Sequence, residues 1–313
     1  MEHTPTAARR GVRFVLATAC ISGVSVFLNK FAVGVWSNSS AFTTAKNAAV
    51  ALLLTSCILC VAKRAELRAL SRRSWVRIAL LGVVGGSLPF LLFFKGLTMT
   101  SAVNAAFIHK TLFIWVAALA VPILGERMSR VHAAALGLLL VGTFALSGGM
   151  VFRIGTGELL VFAATVLWSV EFLIAKVALR DVSPMVAAWA RMSVGAVVLL
   201  GYVIAIGGVD QLLAVSAEQL WWLAASSVLL FGYVYTWYSA VRLLPVTVAS
   251  ALLVVAAPIT ALLNATFVTH RWEPRMVMAT GLVVIGVAFL YRHLHSVRGV
   301  PITSHAAAAG RGG

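Results

Sequence analysis

Ten stretches of mostly apolar residues, joined by short polar connections, restrict this chain to one solvent. They cover 14–35, 41–62, 75–95, 99–122, 131–148, 157–179, 184–206, 220–241, 246–268 and 275–292. About 20 apolar residues in a helix match the ~30 Å hydrocarbon core of a bilayer. In lipid every backbone N–H and C=O needs an internal partner, so long apolar runs cross as helices. Composition agrees: 61% of the residues are hydrophobic and 11% charged, against about 25% charged in soluble domains. The sequence predicts an all-α integral membrane protein of ten transmembrane helices with no inserted soluble domain. The N-terminal "ARRGVRFVLATAC" has no small-x-small cleavage site and reads as an uncleaved first helix. Cys20, Cys57 and Cys60 lie in apolar runs and make no disulfide framework. The Cys57-x-x-Cys60 spacing, without a second pair, reads as packing.

The net charge of +16 would suit nucleic acid, but its placement suits a membrane. With the N-terminus inside, 16 of the 25 Lys and Arg residues fall on the inner side, six of them between Lys63 and Arg77. Only Arg153, Arg271 and Arg275 fall outside. Such an excess sets orientation. It predicts a protein of the cytoplasmic membrane with both termini in the cytoplasm. The inner basic residues then meet anionic headgroups, and no nucleic acid is implied. Residues 1–13 become a cytoplasmic N-terminus, and 293–313, "HLHSVRGVPITSHAAAAGRGG", a disordered basic cytoplasmic tail.

The chain also repeats. Residues 93–146 slide by 144 onto 237–290 without a gap. Ala105, Ala117, Arg127, Gly137, Leu138, Gly142 and Leu146 then meet Ala249, Ala261, Arg271, Gly281, Leu282, Gly286 and Leu290. At slightly different offsets Lys30 meets Lys176, and Lys46 meets Arg191. This divides the chain into five-helix halves, 14–148 and 157–292. An odd number of helices sends the second half into the membrane upside down. Inverted repeats mark many secondary transporters, whose substrate site lies near mid-membrane between the halves.

The segments "FLNKFAV", "SAVNAAFIHKTLFIWVAALAVPILGERMS" and its looser echo "VTVASALLVVAAPITALLNATF" resemble the EamA-type branch of the drug/metabolite transporter superfamily. The Leu-Gly-Glu-Arg ending, Leu124 to Arg127, is the most family-like part. The second copy departs, with His270 where the family usually has Glu. The resemblance implies ten helices, inverted repeats, a central cavity and ATP-independent transport of small metabolites, with no cofactor. It fixes no substrate, since the superfamily moves amino acids, sugars, nucleotide sugars and cationic drugs.

Six basic residues fall inside the apolar stretches: Lys30, Lys46, Lys95, Lys110, Lys176 and Arg191. Charge at mid-bilayer costs at least ~2.5 kcal/mol and usually faces a cavity or a partner. Lys95 ends its stretch and can reach the headgroups. Lys30 with Lys46, and Lys176 with Arg191, recur at repeat-related places and suggest a basic pair at each mouth of one cavity. Lys110 is about 11 residues from either end of its stretch, ~16 Å deep at 1.5 Å per residue. No stem of four carbons reaches water from there. Ala102, Ala106, His109, Phe113 and Ala117 line one helical face that Lys110 borders, so this helix should face an aqueous cavity. His109 reads equally as a proton carrier or a hydrogen-bonded structural residue.

Glu171 is the one acid well inside a stretch. Lys176, five residues on, lies about 140° around the helix, so Glu171 needs a base from elsewhere, and Lys110 is the expected one. The pair reads as structural, or as the carrier of a coupling proton. Trp168 shares the Glu171 face, and Trp115, Trp189, Tyr235 and Trp237 are further candidates for an apolar wall. Gly85, Gly86, Pro89 and Pro258 suggest bends. Lys110, Glu171, His109, Trp168, Lys30, Lys46, Lys176 and Arg191 are thus the candidate substrate-binding residues. The excess of buried base favours a substrate bearing carboxylate or phosphate, such as an amino acid, moved by alternating access and exported. Efflux of cationic compounds by the same fold is the alternative. No H-E-x-x-H or G-x-S-x-G run supports an intramembrane enzyme. Protons, lipid and a second copy in a homodimer are the other partners considered.

Overall fold

The computed structural model describes residues 5–36, 38–60, 64–100, 102–146, 155–213 and 215–296. The expected tail beyond residue 296 lies outside them. The described chain is helical throughout. In order come α1 (Pro5–Val35), α2 (Ser39–Cys60), α3 (Arg64–Arg68), α4 (Arg72–Gly86) and α5 (Leu88–Leu97). Then follow α6 (Ala102–Lys110), α7 (Leu112–Leu124), α8 (Arg130–Leu146), α9 (Thr156–Ala178) and α10 (Pro184–Ala205). The last are α11 (Asp210–Leu213), α12 (Ala217–Leu243), α13 (Val246–Leu253), α14 (Ala256–Asn264) and α15 (Pro274–Ser296), with a π-helical turn Ala265–Thr269 after α14.

Among the described residues nine helical segments are long and apolar enough to cross a bilayer, and α8, at 17 residues, is a shorter apolar helix. The chain is therefore an all-α, multi-spanning membrane protein. Helix α1 starts at Pro5, well before the expected boundary at residue 14. Nothing stops a helix from running on into the headgroup layer, where Arg9 and Arg10 are exposed and the Arg10 guanidinium lies 5.6 Å from the Phe14 ring. Large apolar side chains such as Leu52, Val197 and Val228 are mostly exposed, as lipid-facing residues are. Trp237, Tyr238, Phe42, Phe113 and Met192 fill the interior.

Three spans are broken. The span Arg72–Leu97 breaks at Ser87 between α4 and α5. Pro89 has no N–H for the carbonyl of Gly85, four residues before it, so the helix cannot run straight through. The span Asn104–Leu124 breaks at Thr111, whose hydroxyl donates to the Ile108 carbonyl at 2.6 Å and accepts from Trp115 Nε1 at 3.0 Å. The span Val246–Thr269 breaks at Val254–Val255, four residues before Pro258. The sequence expected the bends at Pro89 and Pro258. The break at Thr111 contains no proline.

Helix α1 packs along α12, and α4 and α5 along α9. Helix α2 packs on α10, and α8 on α15. In the last pair small residues permit close approach: a Cβ on Gly142 would lie 2.9 Å from Val283 Cγ2, and one on Gly286 3.1 Å from Leu139 Cδ2.

Candidate functional site: a buried charge cluster and an open basic cavity

The break at Pro89 creates the first polar centre. Freed from its usual i+4 partner, the Gly85 carbonyl accepts from Trp168 Nε1 at 3.3 Å and from Arg191 Nη2 at 3.2 Å. Its neighbour, the Gly86 carbonyl, accepts from Asn47 Nδ2 at 3.2 Å. Buried carbonyls need such partners, and here side chains of α2, α9 and α10 supply them.

Glu171, on α9, is fully buried beside this carbonyl. Tyr238 Oη on α12 donates to Glu171 Oε1 at 2.7 Å, and Arg191 Nε lies 3.9 Å from the same oxygen. Glu171 Oε2 and Arg191 Nε have no hydrogen-bond partner among the described residues. Glycine at 85 makes room for the acid, because a Cβ there would lie 2.2 Å from Glu171 Cγ. The expected partner, Lys110, is not the one observed. Arg191, on the neighbouring α10, and Tyr238 reach Glu171, and Lys110 lines a cavity whose lining does not include Glu171. Arg191 therefore does not stand with Lys176 as a basic pair at one mouth.

Lys176 is engaged elsewhere: its ammonium donates to the carbonyls of Val241 at 2.7 Å and Leu244 at 2.5 Å, at the end of α12. At the other end of the molecule Lys30 is exposed, whereas Lys46 is half-buried with its ammonium 4.8 Å from the centre of the Phe42 ring. Those two are not linked by any contact among the described residues.

The second polar centre is a cavity of about 670 Å³, lined by Lys110 of α6, Thr260, Ala261 and Asn264 of α14, Ala145 of α8 and Arg271 before α15, among others. Its walls are the ends of α8 and of the π-helical turn and the start of α15. Lys110 makes no hydrogen bond or ion pair among the described residues. Arg275 on the rim is paired with Glu273. Neither Lys110 nor Arg271 forms an ion pair among the described residues.

His109 turns from this cavity into an aromatic group, with its ring 4.7 Å from Trp168 and 5.5 Å from Phe93, centre to centre. Its Nδ1 is buried without a hydrogen-bond partner among the described residues. Trp168 also meets Phe90 and Phe93, at 5.2 Å and 5.7 Å. Trp168 thus connects the aromatic group, His109 included, to the Gly85 carbonyl. The other aromatic candidates form no common wall. Trp189 donates to Thr55 Oγ1 at 2.9 Å, Trp237 meets Phe172 in a tilted pair at 4.3 Å, Trp115 meets Phe162 at 5.0 Å, and Tyr235 is exposed.

Sequence reasoning missed Tyr238, Arg271, Thr260 and Asn264 as members of these centres. Tyr238 and Thr260 look like ordinary helix residues, and Arg271 reads as a loop charge. Only the shift by 144, which pairs Arg271 with Arg127, singled it out. No group of three or more His, Cys, Asp or Glu residues able to hold a metal occurs among the described residues.

Three comparisons with known proteins bear on this arrangement. The "Uncharacterized transporter YyaM" of Bacillus subtilis (strain 168) is 28% identical over 193 residues, 59% of this chain. The match spans 62% of that relative's length. A crystal structure of a protein superposes with a TM-score of 0.72 over 96% of this chain and 100% of the other, at 18% identity, a likeness of fold alone. The model of the EamA-like transporter family matches twice, over residues 9–148 and 155–292, and the chain belongs to that family.

Proposed function

We propose that the protein is a secondary transporter that moves a small anionic metabolite, bearing a carboxylate or a phosphate, by alternating access. The observation that carries this reading is Lys110. An ammonium within a membrane span is stable beside water or a counter-anion. Lys110 has no protein partner among the described residues and lines a cavity. Arg271 on the same cavity adds a second cation without an ion pair among the described residues, which disfavours a cationic cargo.

The proposal takes α8 as a tenth span and treats the halves as inverted repeats. Two features support this. The breaks at Thr111 and Val255 are 144 residues apart, the spacing of the sequence repeat. The packing is also reciprocal: α1 on α12 mirrors α9 on α4 and α5, while α2 on α10 and α8 on α15 each pair repeat-related helices. We place the protein in the cytoplasmic membrane with both termini inside, on the strength of the Lys and Arg bias, and take the direction as export. Glu171 is the candidate proton carrier, being the buried acid nearest the aromatic group of Trp168.

Flux of labelled carboxylates, phosphate esters and amino acids in reconstituted vesicles, with and without a pH gradient, tests the reading. Lys110→Met should abolish flux of the anion while the protein still inserts. Wild-type rates from that variant would refute the assignment.

A further inference from the structure

Two repeat-related basic residues keep different company in the two halves. In α2 and α10 a shift of 145 carries Ala41, Asn47, Val50 and Leu54 onto Val186, Met192, Gly195 and Leu199, all buried. The helix starts correspond as well. Asn38 Oδ1 accepts from the Ser40 N–H at 2.8 Å, and Ser183 Oγ accepts from the Val186 N–H at 3.4 Å. In α1 and α9 a shift of 146 carries Val15, Ala19 and Ala32 onto Val161, Thr165 and Ala178, again all buried. At these shifts Lys46 falls on Arg191, and Ser25 falls on Glu171.

The second half faces its cation with an acid of its own: Arg191 Nε lies 3.9 Å from Glu171 Oε1. The first half has a neutral hydroxyl in the place of that acid, and Ser25 Oγ already accepts from Asn29 Nδ2 at 3.2 Å. Lys46 is seven residues on from Ser39, ~10 Å into the helix at 1.5 Å per residue. It makes no hydrogen bond or ion pair among the described residues. Its ammonium lies 4.8 Å from the centre of the Phe42 ring, a contact that attracts a cation without neutralising it. Trp36 meets the same ring, 5.7 Å centre to centre. Trp36 is 4% exposed, and its Nε1–H has no hydrogen-bond partner among the described residues. An indole N–H can only donate, and buried donors are normally satisfied. An ammonium within a span needs water or a counter-anion. The Phe42 ring thus gathers a cation and an N–H with no acceptor for either among the described residues.

Resting on the inverted-repeat reading and not on the Lys110 cavity, we propose that Lys46 holds a second oxyanion site. Its ligand is one carboxylate or phosphate group, which takes in the first half the place that Glu171 takes in the second. Arg191 is a fixed cation because its anion is built into the chain. Lys46 is an exchangeable one because its anion comes from outside. Two sources carry such a group, a solute and an anionic lipid headgroup, and the test separates them.

Melting of the purified chain in phosphatidylcholine nanodiscs is read against added inorganic phosphate or acetate, with ionic strength fixed by chloride. The background is Lys110→Met, which removes the anion contact already proposed. Phosphate or acetate should still raise Tm, and adding Lys46→Met should weaken the apparent affinity about tenfold or more. Ser25→Glu supplies the acid that the first half lacks. It should raise Tm without ligand and remove the response to phosphate. In a Lys46→Met chain the same Ser25→Glu should lower Tm, because the new carboxylate meets no cation. If Lys110→Met fails to fold, the ligand-free ordering of Ser25→Glu with and without Lys46→Met, in the otherwise native chain, carries the test. A Lys46-dependent rise produced by phosphatidylglycerol in the disc, and not by phosphate or acetate, assigns the group to a lipid headgroup. A response in phosphatidylcholine alone assigns it to a solute. A response that Lys46→Met leaves unchanged, or a Ser25→Glu chain that melts below its parent, would overturn the site. So would a Lys110→Met chain that responds to neither anion nor to phosphatidylglycerol, an outcome that leaves the Lys110 reading standing. Wild-type flux from Lys110→Met beside a Lys46-dependent response would refute the cavity reading and keep this site.

Discussion

Replacing Arg191 by methionine removes the cation that faces the buried Glu171 carboxylate. The change keeps much of the side chain's apolar stem and removes the guanidinium. Among the described residues it leaves Glu171 with Tyr238 as its hydrogen-bond donor and the Gly85 carbonyl with Trp168. At 3.9 Å and an effective dielectric of about 20, the lost attraction is ~4 kcal/mol. Removing one partner of a buried pair typically costs ~3–5 kcal/mol. A chain of this size loses about 2 °C of Tm per kcal/mol, so Arg191→Met should melt ~6–10 °C lower in a lipid nanodisc. The double variant Arg191→Met with Glu171→Gln removes both charges and should melt above the single Arg191→Met. That ordering separates an unpaired buried carboxylate from simple loss of packing. A single variant within ~1 °C of wild type, or a double variant that melts lower than Arg191→Met alone, would refute the reasoning.

Tyr238→Phe deletes the donor to Glu171 without changing the ring, and hydrogen bonds to charged groups contribute ~1.5–3 kcal/mol; melting should report a loss between those of wild type and Arg191→Met. Gly195→Ala places a Cβ 2.6 Å from the Gly86 carbonyl oxygen, a backbone atom that cannot swing aside. It should cost ~1–3 kcal/mol, visible as a lower Tm and a weaker monodisperse peak on size exclusion. For orientation, a cysteine at Ser39 in the thiol-free background should react with an impermeant reagent from outside the cell, and one at Ser71 should not; the opposite pattern would reverse the proposed topology.

Most of the membrane architecture was legible because lipid imposes one rule on every span. Runs of apolar residues gave each span to within a few residues at most ends. Two of the three breaks were marked by Pro89 and Pro258. The third was hidden because Thr111 acts through a hydroxyl bond to its own turn, and threonine is common in unbroken membrane helices. Helix α1 overran its expected start because hydropathy marks where lipid begins, while a helix can continue through the headgroups on its own hydrogen bonds.

The candidate residues were legible as residues and illegible as partners. In the sequence, depth along a helix set Lys110 and Glu171 apart from charges near span ends; in the structure Lys110 lies six residues into the span Asn104–Leu124. Pairing them with each other failed because depth gives only one coordinate, and partnership also needs the helix neighbours and the rotation of each face. Helix α9 packs on α4 and meets α12, so Glu171 meets Tyr238 there and Arg191 from α10, beside the carbonyl that Pro89 sets free. The same limit explains Lys176: its repeat relation to Lys30 suggested a shared role, yet its ammonium finds backbone carbonyls within reach and binds them. The Lys110 ammonium, on an open cavity, makes no hydrogen bond or ion pair among the described residues. An uncompensated charge at that depth is tolerated where water or an anion can meet it, which is why the functional reading rests on Lys110 and the structural one on Arg191.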